Sequence, residues 1–124
     1  YHNVTKATTS DGQIYNFTYD TYGNNTSVSI TNSSGVTMTS EADYTDDGKL
    51  LESTKDAAGN ITYYTYDPDT NLLLKTQYPG NNANTYTQYT YDNMYRTATA
   101  KSYVNSAATL SASYTYDNDL LMTC

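Results

Sequence analysis

The chain has 124 residues and a net charge of −7, which leaves room for one small domain or a few repeats. Six basic residues stand against thirteen acidic ones, so there is no electrostatic footprint for nucleic acid or anionic lipid. Only 16 residues are Leu, Ile, Val or Phe, whereas Thr, Ser and Asn number 47. This mixture favours strands and turns, and it excludes a helical bundle or a coiled coil. The 16 tyrosines supply apolar surface, since each ring can bury roughly 150–250 Å².

Single Cys and His residues limit the available chemistry. The lone Cys124 excludes an intrachain disulfide and a cysteine-based zinc site, although it could link two chains at their ends.

No run approaches the ~18 consecutive apolar residues of a membrane helix, and no signal peptide is visible. Low Cys, abundant Thr and Asn, and an acidic balance indicate an exported bacterial protein.

Period-2 alternation predicts strands in chain order near residues 13–19, 36–44, 61–66, 85–91 and 110–116, each followed by a paired strand. Tyr15, Phe17 and Tyr19 share one face of the first strand, and Thr fills many intervening positions, as in a pleated sheet. No window has a helical period. The chain is therefore predicted to be all-β.

A tyrosine motif recurs along these strands. Tyr-x-Tyr-Asp occurs three times, and two further copies are degraded, one with Phe in first place and one that keeps only its second tyrosine. The second-position residues, here called the anchors, are spaced by 25, 22, 25 and 25 residues. Near-constant spacing indicates repeats, each reading strand, turn, strand, turn. The motif residues are Phe17, Tyr19, Tyr44, Tyr64, Tyr66, Tyr89, Tyr91, Tyr114 and Tyr116.

The turns between the strands contain residues suited to them. Gly and Asn tolerate positive φ, and an Asp side chain closes an Asx-turn on backbone N–H groups. Gly is replaced by Thr70 before Asn71 and by Tyr95 before Arg96, and a looser or different turn is expected at both places. In the last repeat, Gly is deleted near Asp119. The predicted turn residues are Asp20, Gly23, Gly48, Gly59, Asp67, Asp92 and Asp117.

Units of this size cannot bury themselves singly, and stacked hairpins bury aromatic rings between neighbours. We therefore predict one array over residues 1–124, with about five repeats stacked into a curved, solenoid-like sheet. The anchors at Tyr19, Tyr44, Tyr66, Tyr91 and Tyr116 are expected to be buried.

The Tyr-x-Tyr-Asp and Gly-Asn pattern resembles the YD repeats of Rhs proteins, and the resemblance runs from about Asp11 to Leu121. That family includes bacterial polymorphic toxins, wall-associated proteins, shell subunits of insecticidal toxin complexes and teneurins; the Asn- and Thr-rich texture is most similar to the wall-associated type. The resemblance implies a spiral sheet of hairpins that forms a hollow shell around a cargo and acts as scaffold. A few repeats cannot close a shell, so encapsulation does not carry over to this chain.

Two candidate sites compete with structural roles. Exposed turn tyrosines, Tyr22, Tyr86 and Tyr95, could stack on sugar rings, but a period-2 ladder of tyrosines is more typical of a core. Asp67, Asp69 and Asn71 begin like an EF-hand loop, but Leu72 and Tyr78 occupy the places of its Gly and Glu, so turn capping is the favoured role.

The sequence offers no convincing catalytic set. A nucleophile needs a neighbouring base, and the only His is His2, beside the N-terminus. Asp67-Pro68 superficially matches the self-cleavage site of the toxin branch, but the surrounding motif is absent. Six N-x-S/T sequons, at Asn3, Asn16, Asn24, Asn25, Asn32 and Asn60, only slightly exceed the number expected by chance.

We therefore expect a structural, non-enzymatic segment of an exported bacterial YD-repeat shell or surface fibre, with no cofactor and no metal. The expected partners are neighbouring repeats of a parent chain or copies of the same chain, together with an encapsulated cargo or glycans. Nucleic acid and membrane are not expected partners. The alternatives are a glycan-binding surface module and a self-assembling extracellular filament, whose open terminal strands would template further strands.

Overall fold

The computed structural model describes residues 3–80, 84–117 and 120–123, with the backbone alone for Asp117 and residues 120–123. Every regular element among them is a β-strand, and no described helix is long and apolar enough to cross a membrane. The chain divides into two compact units, Tyr1–Ile61 and Thr62–Cys124, here called the first and second units.

The first unit is an antiparallel meander in which each strand pairs with the next one along the chain, from β1 to β5. Thr-rich strands with alternating polar and apolar residues suit this pleated geometry. Its strands are β1 Lys6–Thr8, β2 Ile14–Tyr19, β3 Asn25–Thr31, β4 Thr37–Tyr44 and β5 Leu51–Lys55.

The second unit repeats this plan from β6 to β10 and adds a separate pair, β11 with β12. Its strands are β6 Ile61–Tyr66, β7 Leu73–Gln77, β8 Tyr86–Tyr91, β9 Thr97–Val104, β10 Ala107–Ser113, β11 Thr115–Asp117 and β12 Leu120–Thr123. The predicted all-β fold of repeated antiparallel hairpins is confirmed.

The last predicted strand, 110–116, is wrong as a single element. β9 and β10 are joined by Asn105 and Ser106, which take φ of 52° and 64° in a tight hairpin turn. Strand β10 ends at Ser113, and Thr115 begins a new strand that pairs with β12. The sequence lacks the Asn-Gly or Asp-Gly pair that usually marks a two-residue hairpin turn, so this one was missed.

A β-bulge recurs at every anchor. The register with the following strand shifts by one residue between the anchor and the residue before it, as between Thr18 and Tyr19 or between Thr90 and Tyr91. The same shift occurs at Tyr44, Tyr66 and Tyr116. A bulge increases the local strand twist and bends the strand, so the repeat unit is defined by backbone geometry as well as by sequence.

No described hydrophobic residue is fully buried, and the only buried side chains are those of Ser53, Thr76 and Thr87. The five anchors are half-buried. The expectation that the anchors are buried is therefore wrong, because no second layer of structure covers their rings among the described residues.

Candidate functional site

In the second unit two anchor hydroxyls tie their repeat to the preceding one. The Tyr91 hydroxyl donates to the carbonyl oxygen of Leu73 at 2.6 Å, and Leu73 is the residue paired with the preceding anchor, Tyr66. The Tyr116 hydroxyl repeats the pattern with Thr97 at 2.9 Å, the residue paired with Tyr91. Tyr19, in the first repeat, donates to the carbonyl of Val4 at 2.7 Å. A phenol positioned in this way acts as a structural clamp rather than as a reactive group.

Partial burial also affects the ionisation of two anchors. Desolvation raises the pKa of Tyr66 and of Tyr91, and the neighbouring Tyr64 and Tyr89 add smaller contributions in the same direction. A raised pKa keeps the phenol protonated, which preserves the hydrogen bond that Tyr91 donates.

One five-residue turn recurs throughout the chain. In the turn that begins at Asp20, Oδ1 accepts from the backbone N–H groups of Tyr22 and Asn24, each at 2.9 Å, and Oδ2 accepts from Asn24 Nδ2 at 2.9 Å. Gly23 takes φ of 90°, the position for which glycine is suited. Equivalent turns begin at Asp56, Asp92 and Asn32. The aspartates are thus acceptors for backbone amides.

These hydrogen bonds lower the pKa of the turn carboxyls. The Thr45 hydroxyl, and then Lys49, hold the pKa of Asp47 at about 2. The Asn60 side chain lowers the pKa of Asp56, and the backbone N–H groups of Thr70 and Arg96 lower those of Asp67 and Asp92. For Asp20, partial desolvation raises the pKa, but the bonds from Asn24 and nearby amides outweigh it. Carboxyls with lowered pKa values are poorly suited to donating a proton near neutral pH.

Two predicted departures from the glycine turn have different outcomes. Tyr95 takes φ of 63° in a turn with the same hydrogen bonds as the glycine turns, so the expectation of a looser turn there is wrong. After Asp67 the turn is one residue longer, and Asn71 takes the positive φ of 60°. Asn is among the residues that adopt this conformation most readily, so the longer turn can replace the five-residue glycine turn without strain.

In the first unit, the turns that begin at Asp20 and Thr45 pack on each other. The Tyr22 ring lies against Gly48, where an added Cβ would come within 2.9 Å of the Tyr22 Cβ. The Tyr22 hydroxyl donates to the carbonyl of Asp46 at 3.1 Å, and Asn24 Nδ2 donates to that of Gly48 at 2.7 Å. Position 48 therefore requires glycine for two reasons: its φ is 70°, and the Tyr22 ring lies too close to leave room for a side chain. By contrast, nothing lies within 4 Å of the equivalent position at Gly59.

The three candidate sugar-stacking tyrosines have separate locations. Tyr22 and Tyr95 are the more exposed, at 62% and 65%, and each lies beside a turn groove, of about 360 and 320 Å³. Tyr86 lies within β8 instead of at a turn, and its half-buried ring stacks on Tyr103 with centroids 4.7 Å apart. Lys75 Nζ lies 4.4 Å from the Tyr86 ring centroid. Strand register places Tyr63 and Tyr103 on this face as well, and no local sequence signal indicates it.

The residues weighed for catalysis and metal binding form no cluster. Among the described ranges, no group of three or more His, Cys, Asp or Glu side chains is placed to hold a metal. Asp67 accepts from the amides of Asp69 and Thr70 at 3.0 and 2.9 Å, as a turn cap does. His2, Asp119, Cys124 and the side chain of Asp117 lie outside the described residues.

The comparisons with known proteins find similar solved structures. No family model matches the chain, and no curated protein matches it. Three similar solved structures are TcdB2-TccC3 without its hypervariable C-terminal region, at 20% identity and a TM-score of 0.71, TcdB2-TccC3 at 20% and 0.70, and TcdB2-TccC3-Cdc42 at 22% and 0.71. Each match covers 90% of this chain and 6% of the solved chain.

TcdB2-TccC3 is a toxin complex with an Rhs/YD-repeat shell. At this identity, the likeness bears on the fold alone. The chain therefore has the fold of a YD-repeat segment, as its sequence motifs predict.

Proposed function

We propose that the chain is a scaffold segment of an exported bacterial YD-repeat shell or surface fibre and that it catalyses no reaction. The observation that carries this proposal is the clamp of each anchor hydroxyl on the strand of the preceding repeat, seen at Tyr91 and Tyr116. A contact that links each repeat to the one before it extends to any number of repeats, which is what a long wall requires.

The partners that follow from this role are further repeats of a parent chain or other copies of the chain. The matched structures support the proposal that the chain functions beside further repeats, because the matched region is only 6% of a much longer chain. An encapsulated cargo belongs to a closed shell, and this chain alone is too short to form one.

A repeat duplication tests the scaffold role. Residues 67–91 make up one 25-residue unit between anchors, and a second copy inserted after Tyr91 restores the same turn sequence. We expect the free energy of unfolding and its denaturant slope both to rise, because each added repeat contributes an interface and exposes more surface on unfolding. Duplication of the half-unit 67–79 is the control, since it reverses the strand direction and should destabilise the chain. Equal effects of both insertions would contradict the proposal.

Export is tested separately by fractionation of the producing cells. An antibody against the chain should find it at the cell surface or in the medium. A strictly cytoplasmic location would contradict the exported part of the proposal and leave the repeat architecture untouched.

A further inference from the structure

A groove of about 320 Å³ lies in the second unit, lined by residues of the turn that begins at Asp67 and of the turn that begins at Asp92. Leu72 and Leu74, at the start of β7, supply its apolar lining. The volume is at the lower end of the roughly 300–1,000 Å³ typical of small-molecule sites. Three tyrosines of the following repeat complete it, and we call it the tyrosine groove after them: Tyr89, Tyr91 and Tyr95.

The three tyrosines come from one strand and the turn that follows it. Tyr89 and Tyr91 stand two residues apart in β8, and Tyr95 lies in the turn. The Tyr91 hydroxyl donates to the carbonyl oxygen of Leu73 at 2.6 Å, so this ring is held beside the leucines. Aromatic rings carry partial negative charge on their faces and attract a cation within about 6 Å of the ring centroid. A groove lined by three such rings favours a cation over an anion.

Tyr95 occupies a position that other repeats give to glycine. It takes φ of 63°, and a bulky side chain in this conformation is an energetic outlier. Strain of this kind persists where the side chain serves a function. The equivalent turns of the first unit place glycine at the positive-φ position, at Gly23, Gly35 and Gly59.

Two carboxylates also line the groove. Hydrogen bonds from the backbone N–H groups of Thr70 and Arg96 hold the pKa values of Asp67 and Asp92 below their ordinary range, so both are ionised at neutral pH. No described lysine or arginine lines the groove. The Arg96 guanidinium pairs with Asp92 at 2.8 Å and lies over the Tyr116 ring. Asp67 therefore supplies most of the negative charge.

The oxygens of these carboxylates already accept hydrogen bonds within their own turns. Asp67 Oδ1 accepts from the amides of Asp69 and Thr70, and Asp92 Oδ1 accepts from two amides of its turn. An amine that must donate hydrogen bonds competes with the turns for these oxygens. A quaternary ammonium donates none, and its methyl groups suit the apolar lining. A metal ion is not favoured, because no three His, Cys, Asp or Glu side chains are grouped to hold one among the described ranges.

We propose that the tyrosine groove binds a quaternary ammonium group such as the trimethylammonium head of choline. Its methyl groups contact the three tyrosine rings and the two leucines. The carboxylates of Asp67 and Asp92 balance its charge, and they repel a phosphate beside it. The ligand is therefore a trimethylammonium group without a neighbouring phosphate, as in free choline rather than in a phosphocholine lipid headgroup. This inference goes beyond the scaffold role and does not depend on it.

The first test is an NMR titration of the 124-residue chain with choline chloride, referenced to sodium chloride at the same ionic strength. We expect saturable shifts of backbone amides in residues 67–74 and 89–96. Affinity should be about fivefold lower for Tyr95→Asn, which removes one ring and keeps a residue that tolerates positive φ. Tyr22→Asn is the matched control, because Tyr22 is similarly exposed beside the other turn groove. Its affinity should change by less than about twofold, since the tyrosine groove keeps all three rings.

The second test removes charge from the groove. Asp67→Asn keeps a side-chain oxygen that can cap the turn, as Asn32 does in its own turn, and should lower the affinity for choline about threefold. Asp56→Asn is the control, because it removes the same charge from a turn of the first unit. Its affinity should change by less than about 1.5-fold, since water and salt screen a charge outside the groove. Thermal melting of all four variants checks that each remains folded.

Four results would overturn the proposal. Equal or tighter binding of the uncharged tert-butyl analogue of choline would show that the groove selects apolar bulk and not charge. Equal losses for Tyr95→Asn and Tyr22→Asn would mean that binding is not confined to the groove. Tighter binding of phosphocholine than of choline would contradict the role of the carboxylates. Absence of any saturable shift with choline would refute the site itself, whatever the result of the duplication and fractionation experiments.

Discussion

The two units differ on the face opposite their anchors. In the first unit this face carries hydroxyls and a charge pair: Thr18 bonds Ser27 at 2.8 Å, and Lys55 pairs with Glu41 at 3.0 Å. In the second unit Thr90 and Thr99 form the same kind of hydroxyl pair beside the anchor, at 2.7 Å, but Tyr86 and Tyr103 stack where Ile14 pairs with Thr31 in the first unit. Both units have the same anchor bulges and the same Asx-turns. The repeat architecture thus depends on the anchor face, the turns and this hydroxyl pair, and the rest of the opposite face varies.

Two turns within the first unit also differ in how they pack. In the first unit Tyr22 covers Gly48, whereas Gly59, a turn glycine of the same conformational class, has open space around it. Gly59 needs glycine only for its positive φ, whereas Gly48 needs it also because the Tyr22 ring leaves no room for a Cβ. Substitution of Gly48 is therefore expected to cause the largest loss of stability.

Gly48→Ala should destabilise the protein much more than Gly59→Ala. Both changes place a Cβ at positive φ, at a cost of about 1–2 kcal/mol. Gly48→Ala adds overpacking against the Tyr22 ring, worth about 1–3 kcal/mol more. Urea unfolding of both variants measures the difference. Adding Tyr22→Ala to Gly48→Ala should recover the steric part, and equal losses at the two glycines would show that the turns do not pack together.

Tyr91→Ala should cost about 2 kcal/mol, roughly half the loss for a fully buried aromatic ring, because the anchor is half-buried. Tyr91→Phe keeps the ring and removes only the hydrogen bond to Leu73, so about 1 kcal/mol is expected. Chemical denaturation distinguishes the two. A loss of 4 kcal/mol or more for Tyr91→Ala would reveal a covering layer over the anchor face.

The turn carboxyls should make stability fall in acid. Their folded-state pKa values lie below the unfolded value of 3.8, so their contribution is present above that pH and disappears as pH falls toward the folded pKa, about 2 for Asp47. Asp56→Asn should flatten this dependence and keep the turn, since Asn32 accepts the same two amides in its own turn. Thermal melts of the original chain and of Asp56→Asn between pH 2 and 5 measure this difference. An unchanged acid dependence in Asp56→Asn would remove Asp56 from the account.

The smallest effect concerns self-association through strand edges. The edge strand of the first unit, β1, has three residues, whereas β10 has seven and exposes Leu110. Association should increase with salt, which screens the net charge of −7, and Leu110→Lys should suppress it. Val36→Lys, at an exposed turn residue, is the control. Sedimentation velocity over a salt series measures both, and a monomer under all conditions would show that the edges are protected.

Much of the architecture could be predicted from the sequence because it is local. Turn chemistry at Asp20 or Gly59 depends on residues within five positions, and the tyrosine spacing identifies the repeats without long-range information. The tight turn at Asn105 and Ser106 lacks a strong local signal, which explains the error in the last strand.

Burial and the candidate site depend on register. The anchors are half-buried because no residue of the described ranges forms a layer over their rings, and composition does not indicate the number of layers. Tyr63 and Tyr103 lie 40 residues apart, and only the pairing of four strands brings them into one row. Tyr86 lies at the boundary of a predicted strand, 85–91, and is also expected among the exposed turn tyrosines; the structure places it in β8.

The central claim is that repeats are held by contacts with their neighbours and share no common core. Residue-resolved hydrogen exchange of Tyr19→Ala tests it most directly, because this change removes one ring and its bond to the Val4 carbonyl. The account predicts faster exchange in β1 to β3 and unchanged protection in β8 to β10. A uniform loss of protection along the described strands would contradict it, since only a shared core transmits a single substitution to every repeat.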